Sequence, residues 1–126
     1  PVVRAPGSDT RWVLDRAFGI GEVIPAGTIE VGSNLAAALY VAADPQSVGY
    51  LSAGAYEQAR QRGLRLKALP VDGVTPTPQF CTSGNYGLCR PLLLVRRKGA
   101  GDFVEAALAG GGDELLSRHG FAPARP

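Results

Sequence analysis

The chain has one histidine, no methionine, one tryptophan and two cysteines, and each scarcity removes a class of chemistry. A single His119 cannot supply a histidine-based metal centre or a His-His proton relay. Cys81 and Cys89 enclose Thr-Ser-Gly-Asn-Tyr-Gly-Leu, which is no zinc spacing, and no second Cys or His pair accompanies them. Neither cysteine has a visible base partner and the acids are scattered. There is no Gly-x-Ser-x-Gly elbow and no phosphate loop of the nucleotide-hydrolase type, so no enzyme constellation and no cofactor motif is found. Charge is also scarce: a net +2 with dispersed arginines argues against a nucleic-acid partner or an anionic membrane. No apolar run approaches the roughly 20 residues that span a bilayer. Nothing at the start looks like a signal peptide. The chain begins at Pro1 without Met, as a processed or engineered product does, so that absence says little about compartment.

What remains is a globular chain of 126 residues, 45% apolar and 19% charged. That length suits one domain with a modest core, burying about two-thirds of its unfolded surface. Val2-Val3 reads as a short extended run. A helix follows, with Val13 and Ala17, and Leu14 and Phe18, paired at i, i+4 on a buried face. Val23-Ile24 and Thr28 to Val31 read as short strands. Leu35 to Ala43 is a helix apolar almost all round, as one buried between layers is, and Asp44-Pro45 stops it. Ser47 to Leu51 reads as a short buried strand. A helix from Ala53 to Arg62 turns Ala55, Tyr56 and Ala59 inward and ends at Gly63. Leu64 to Leu69 alternates with period two, as a half-exposed strand does. A short helix covers Thr77 to Thr82, and Leu92 to Val95 reads as a strand buried on both faces. Two short helices close the chain: one striped by Phe103, Val104, Ala107 and Leu108, the other from Asp113 to Arg118. Between them Gly110-Gly111-Gly112 makes a joint. In the ending His119-Gly120-Phe121, Gly120 takes the left-handed position, Phe121 folds back on Leu116, and His119 sits near the negative dipole end with no catalytic role. Strands alternating with helices predict an α/β chain with a largely parallel sheet.

Arg4-Ala5-Pro6-Gly7-Ser8-Asp9-Thr10 is the stretch around which the rest is arranged. It is a Pro-Gly turn running into a Ser-Asp-Thr cluster that opens the first helix. A helix start leaves up to four N–H groups without partners and carries about half a positive charge. Gly7, the two hydroxyls and Arg4 make that start an oxyanion cradle; the same cluster also reads as a plain N-cap that binds nothing. No Glu or Gln stands three residues after Ser8, Asp9 or Thr10, so no capping box occupies the free donors. Cys81 and Cys89 read either as a local disulfide, contributing roughly 2.5 kcal/mol by loop closure, or as two half-buried thiols. The disulfide implies an oxidising compartment.

Three stretches carry a family resemblance. Arg4 to Thr10 resembles the Arg-Ala-Asp-Gly-Ser-Gly-Thr anion loop of the periplasmic phosphate-binding proteins of ABC transporters, in the type II periplasmic-binding-protein class. Asp44-Pro45-Gln46-Ser47-Val48-Gly49-Tyr50-Leu51-Ser52 resembles that family's Ile/Val-Gly-Tyr segment. Val71 to Pro78, then Ser83 to Leu92 with Cys89-Arg90-Pro91-Leu92, resembles its run into an Arg-Pro-Leu strand. The three occur in the family's order and cover nearly the whole chain as its second half. The resemblance implies a three-layer α/β lobe with a mainly parallel sheet flanked by helices. Residues 1–88 would form the second-lobe core, and residues 89–126 the strand and helices that in the family return to the other lobe.

By the same resemblance, the chain is a periplasmic or otherwise extracytoplasmic solute-binding lobe whose ligand is inorganic phosphate or a similar oxyanion. Arg4 would be the cationic anchor, Gly7 would allow the turn, Ser8 and Thr10 would give hydroxyl and backbone donors, and Asp9 would give its N–H. Ser33-Asn34 is a secondary candidate that also reads as an ordinary cap. The expected partners are the missing N-terminal lobe or a second copy, and a transporter permease. Two positions depart from the pattern. Pro6 replaces the acid that accepts the proton of hydrogen phosphate. Asp9 replaces a glycine, and a carboxylate about 4 Å from a bound anion would repel it by roughly 4 kcal/mol at an effective dielectric of about 20. With one lobe only, three or four charge-assisted contacts of roughly 1.5–3 kcal/mol each must overcome the cost of association, so millimolar binding is expected. The competing expectation is a structural or interaction module of the same fold, with Asp9 capping its own helix. The C-terminal strand and helices must then join this lobe's sheet, swap between chains or pack irregularly.

Overall fold

In a computed structural model, which describes residues 1–21, 24–93, 95–98, 101–108 and 112–122, everything is laid on β1 (Val2–Arg4). The turn Ala5 to Ser8 leads into α1 (Asp9–Phe18), and the chain returns in β2 (Ile29–Val31), parallel to β1 with Val2 opposite Ile29 and Arg4 opposite Val31. The next helix, α2 (Asn34–Ala43), crosses over, and the chain comes back on the other side of β1. There Gly49 bridges Val2 in parallel, and the Val2 N–H donates to Val48 O at 2.8 Å. Thus β1 is central. The connection after β1 leads to one side of it and the connection after β2 to the other, which is the switch-point arrangement beside which open α/β sheets bind ligands.

Three helices start at the carboxyl edge of these strands, each capped by a serine whose side chain accepts a backbone N–H. These are Ser8 for α1, Ser33 for α2 and Ser52 for α3 (Ala53–Gln61). The core is small: Val2, Val31 and Ala37, with Ala36 and Val41 packed on it. A Cβ on Gly49 would lie 2.9 Å from Val41 Cγ2 and 3.1 Å from Val2 O, so α2 sits against bare backbone there.

Downstream, Asp72 and Gly73 both take positive φ in a tight turn that pairs Val71 with Val74, as a type I′ turn requires. Then α4 (Pro78–Thr82) begins at a Thr77 cap, and Cys81 and Cys89 form a disulfide. Finally α5 (Gly101–Leu108) and α6 (Gly112–Arg118) pack together. The end of α6 is a Schellman motif: Phe121 N–H bonds Leu116 O, Gly120 N–H bonds Ser117 O, and Gly120 has φ 80°. That end packs on α3, since a Cβ on Gly120 would come within 2.5 Å of the Gly54 backbone. No helix among the described residues is long and apolar enough to cross a membrane.

The α/β class with a parallel sheet and flanking helices stands, but several expectations are corrected. On α1, Ala17 and Phe18 are exposed, at the end of the helix away from its packing on β1 and its Arg11–Glu30 tie to β2. In α2 only Ala37 and Ala38 are fully buried, and Leu35, Leu39 and Tyr40 are half exposed, with no second layer over that side among the described residues. The stretch from Ser47 to Leu51 contributes one bridge, not a strand, and Val48 is exposed. Leu64, Leu66 and Ala68 turn inward in alternation, yet no neighbouring strand pairs with them among the described residues. Leu92, Leu93 and Val95 form no strand and stand in solvent, Val95 at 88% exposure, with no strand pairing to them among the described residues. Val23, Leu94, Gly110 and Gly111, and the side chains of Phe103, Ala107 and Leu108, lie outside the described residues.

Candidate functional site

The turn before α1 is built as its residues dictate. Pro6 precedes Gly7, whose φ of 84° suits the third position of a type II turn, and Ser8 N–H closes it on Ala5 O at 3.2 Å. Nothing lies within 4 Å of the Cβ that Gly7 lacks, so glycine is required here for its dihedral and the face above it is open. Ser8 Oγ accepts the Arg11 N–H at 3.4 Å, and Ser8 O accepts the Trp12 N–H at 2.9 Å. The N–H groups of Asp9 and Thr10 have no partner among the described residues, and neither does the half-buried Thr10 hydroxyl. Gly7 to Thr10 thus make a turn and helix start with two donors open among the described residues.

Asp9 does not cap the helix. Its carboxylate, 78% exposed, pairs with Arg90 Nη1 at 3.1 Å, with Arg90 half exposed. The carboxylate that the sequence set against an anion thus has its own cation, brought by the segment after the disulfide loop. Arg90 was missed as a contributor to this site, and only its position beside Cys89 could have signalled it.

Arg4 ends β1, its backbone paired with Val31 and its side chain at the start of α2. One terminal nitrogen donates to Asn34 Oδ1 and the other to Gly32 O at 3.0 Å; Nε is buried without a partner among the described residues. Asn34 in turn donates from Nδ2 to Ser52 Oγ at 3.2 Å, so one chain of contacts joins the end of β1 to the caps of α2 and α3. The Arg4 N–H donates to the Tyr50 hydroxyl at 3.1 Å. Burial pushes the Tyr50 phenol above its ordinary value, and that backbone hydrogen bond opposes the shift.

Arg11 was also missed in the sequence. Its guanidinium, 12% exposed, bonds Asp15 and Glu30, each at 3.2 Å, and donates to Arg4 O at 3.0 Å. Burial pulls its pKa down, but the hydrogen bond and charge of Asp15, then Glu30, leave the net shift upward. This arginine ties α1 to β2 beneath the loop, and its charge is neutralised. Only an i, i+4 pairing with Asp15 marked it in the sequence. No group of His, Cys, Asp and Glu able to hold a metal occurs among the described residues.

No protein-family model matches the chain. Two proteins called phosphate-binding protein PstS 2, from serotype V and serotype III strains of Streptococcus agalactiae, are each 28% identical to it over 137 residues. The match covers 97% of this chain and 44% of each relative, so the chain spans less than half their length. The fold of PstS from Borrelia burgdorferi superposes with a TM-score of 0.67 at 19% identity, covering 99% of this chain and 53% of that one. The chain is therefore similar to phosphate-binding proteins in sequence and to PstS in fold. The relatives are named for binding, in keeping with a sequence that carries no enzyme constellation.

Proposed function

We propose that the chain is one lobe of a phosphate-type solute-binding protein of an ABC transporter, holding one side of an oxyanion site outside the cytoplasm. Gly7 opens the approach, the Asp9 and Thr10 N–H groups and the Thr10 hydroxyl donate to the anion, Ser8 fixes the helix start, and Arg4 supplies positive charge from the end of β1. The observation that carries the reading is the pair of unpartnered amides at the start of α1, next to a carboxylate already engaged by Arg90. A helix start with free donors favours an anion by both hydrogen bonding and dipole. The Streptococcus relatives, named for phosphate binding, support phosphate as the ligand class, and a local disulfide suits an oxidising compartment.

The other lobe, or a second copy, would supply the remaining donors and exclude water, and a permease would receive the loaded protein. Residues 1–88 form the binding core in this reading, and residues 89–126 supply Arg90 and the covering helices. With Pro6 in the turn, no side chain there accepts the proton of hydrogen phosphate, so sulfate and molybdate should compete with phosphate. Titrating the chain with phosphate, sulfate and molybdate to tens of millimolar, against chloride at matched ionic strength, should move the amide resonances of Gly7 to Arg11 with millimolar midpoints. If those resonances stay fixed while others follow ionic strength alone, the reading fails.

A further inference from the structure

The two arginines near the loop are held in opposite ways. Arg11 lies between two carboxylates, Asp15 and Glu30. Arg4 is held only by neutral oxygens, the Asn34 amide and the Gly32 carbonyl, and forms no ion pair among the described residues. A guanidinium fixed by neutral acceptors keeps its full charge toward a third party, whereas one fixed by carboxylates does not.

We propose that Asn34 is a positioning residue for oxyanion binding, fixing Arg4 at the strand edge without neutralising it, with Ser52 orienting the Asn34 amide. This rests on the oxyanion reading above. An amide can present either oxygen or nitrogen to its neighbour, and here the two partners agree. Arg4 can only donate, so Oδ1 faces it, and Nδ2 is left to donate to Ser52 Oγ. Asn34 is also the first residue of α2, behind the Ser33 cap, where either Ala or Asp is accepted by a helix and Asp is favoured by the dipole. Substitution there separates geometry from charge.

The test compares phosphate titrations of the whole chain as wild type, Asn34→Ala and Asn34→Asp, read by the amide shifts of Gly7 to Arg11. A thermal melt checks each fold. Asn34→Asp anchors Arg4 at least as firmly but pairs its charge. It should keep or raise the melting temperature while weakening phosphate binding by about tenfold. Asn34→Ala releases the side chain but leaves its charge, and should weaken binding less, by about threefold. If Asn34→Asp binds as well as wild type, or better than Asn34→Ala, Asn34 is only a structural tether and the proposal is overturned while the oxyanion reading stands. If wild type itself shows no phosphate shifts, the oxyanion reading fails and this proposal falls with it.

Discussion

At the scale of single residues, the site depends on which charges are compensated. Asp9 stands beside the open amides, and what keeps it from repelling an anion is Arg90 at 3.1 Å. Both side chains are in water, so the coupling is screened and modest. Asp9→Asn should tighten phosphate binding about threefold, Arg90→Ala should loosen it by about the same factor, and the double variant, which keeps neither charge, should return to wild-type affinity. Phosphate titrations of the three variants check this; equal weakening by Asp9→Asn and Arg90→Ala would contradict it. The sequence showed Asp9 as a liability and could not show its remedy, because Asp9 and Arg90 are brought together by a long excursion of the chain. Arg4 was legible as a cation near the loop, but its neutral anchors depend on how β1 and β2 align, which no local pattern encodes.

At the scale of elements, what was legible was mostly local. Serine caps, left-handed glycines after α1 and α3, and the Schellman ending at Gly120 all follow from side chains acting within five residues. Strands were overread, because Leu64 to Leu69 and the described residues Leu92, Leu93 and Val95 have strand-like patterns but no ladder partner among the described residues. Asp44 shows a local device at work. Its carboxylate accepts Gln46 N–H at 3.0 Å and the Ser47 hydroxyl at 2.8 Å, and the backbone bond, then the side-chain bond, lower its pKa below the ordinary 3.8. A carboxylate depressed in the folded state contributes stability above its unfolded pKa, and that contribution is lost as pH falls through the lower folded value. Carbon-detected titration of the Asp44 carboxyl should give a midpoint below 3.8; one at or above it would show that the turn does not hold the charge. Gly49 tests the packing of α2 on the bridge. Gly49→Ala should destabilise the chain by about 1–3 kcal/mol, because Val41 Cγ2 and Val2 O already fill the space. Urea unfolding that leaves stability unchanged would mean the contact is loose.

At the scale of the whole molecule, the surface is too large for the mass. The chain exposes 9424 Å² at 13.1 kDa, whereas a folded monomer of that mass exposes about 6,400 Å². Large apolar side chains are part of that surface: Trp12, Leu35, Leu39, Tyr40, Leu92 and Leu93 are all exposed. This accounts for the failure of the expectation that α2 is buried all round. An apolar face in a sequence signals that something covers it, but not whether the cover lies in the same chain. The matched region spans less than half the length of the Streptococcus relatives. The central claim is that the amides opening α1 receive an oxyanion, and a crystal structure grown in phosphate addresses it most directly. The account predicts phosphate oxygens about 2.7–3.2 Å from the Asp9 and Thr10 nitrogens, with Asp9 still on Arg90. Water on those nitrogens at saturating phosphate, with the Asp9 carboxylate folded back to cap α1, would contradict it.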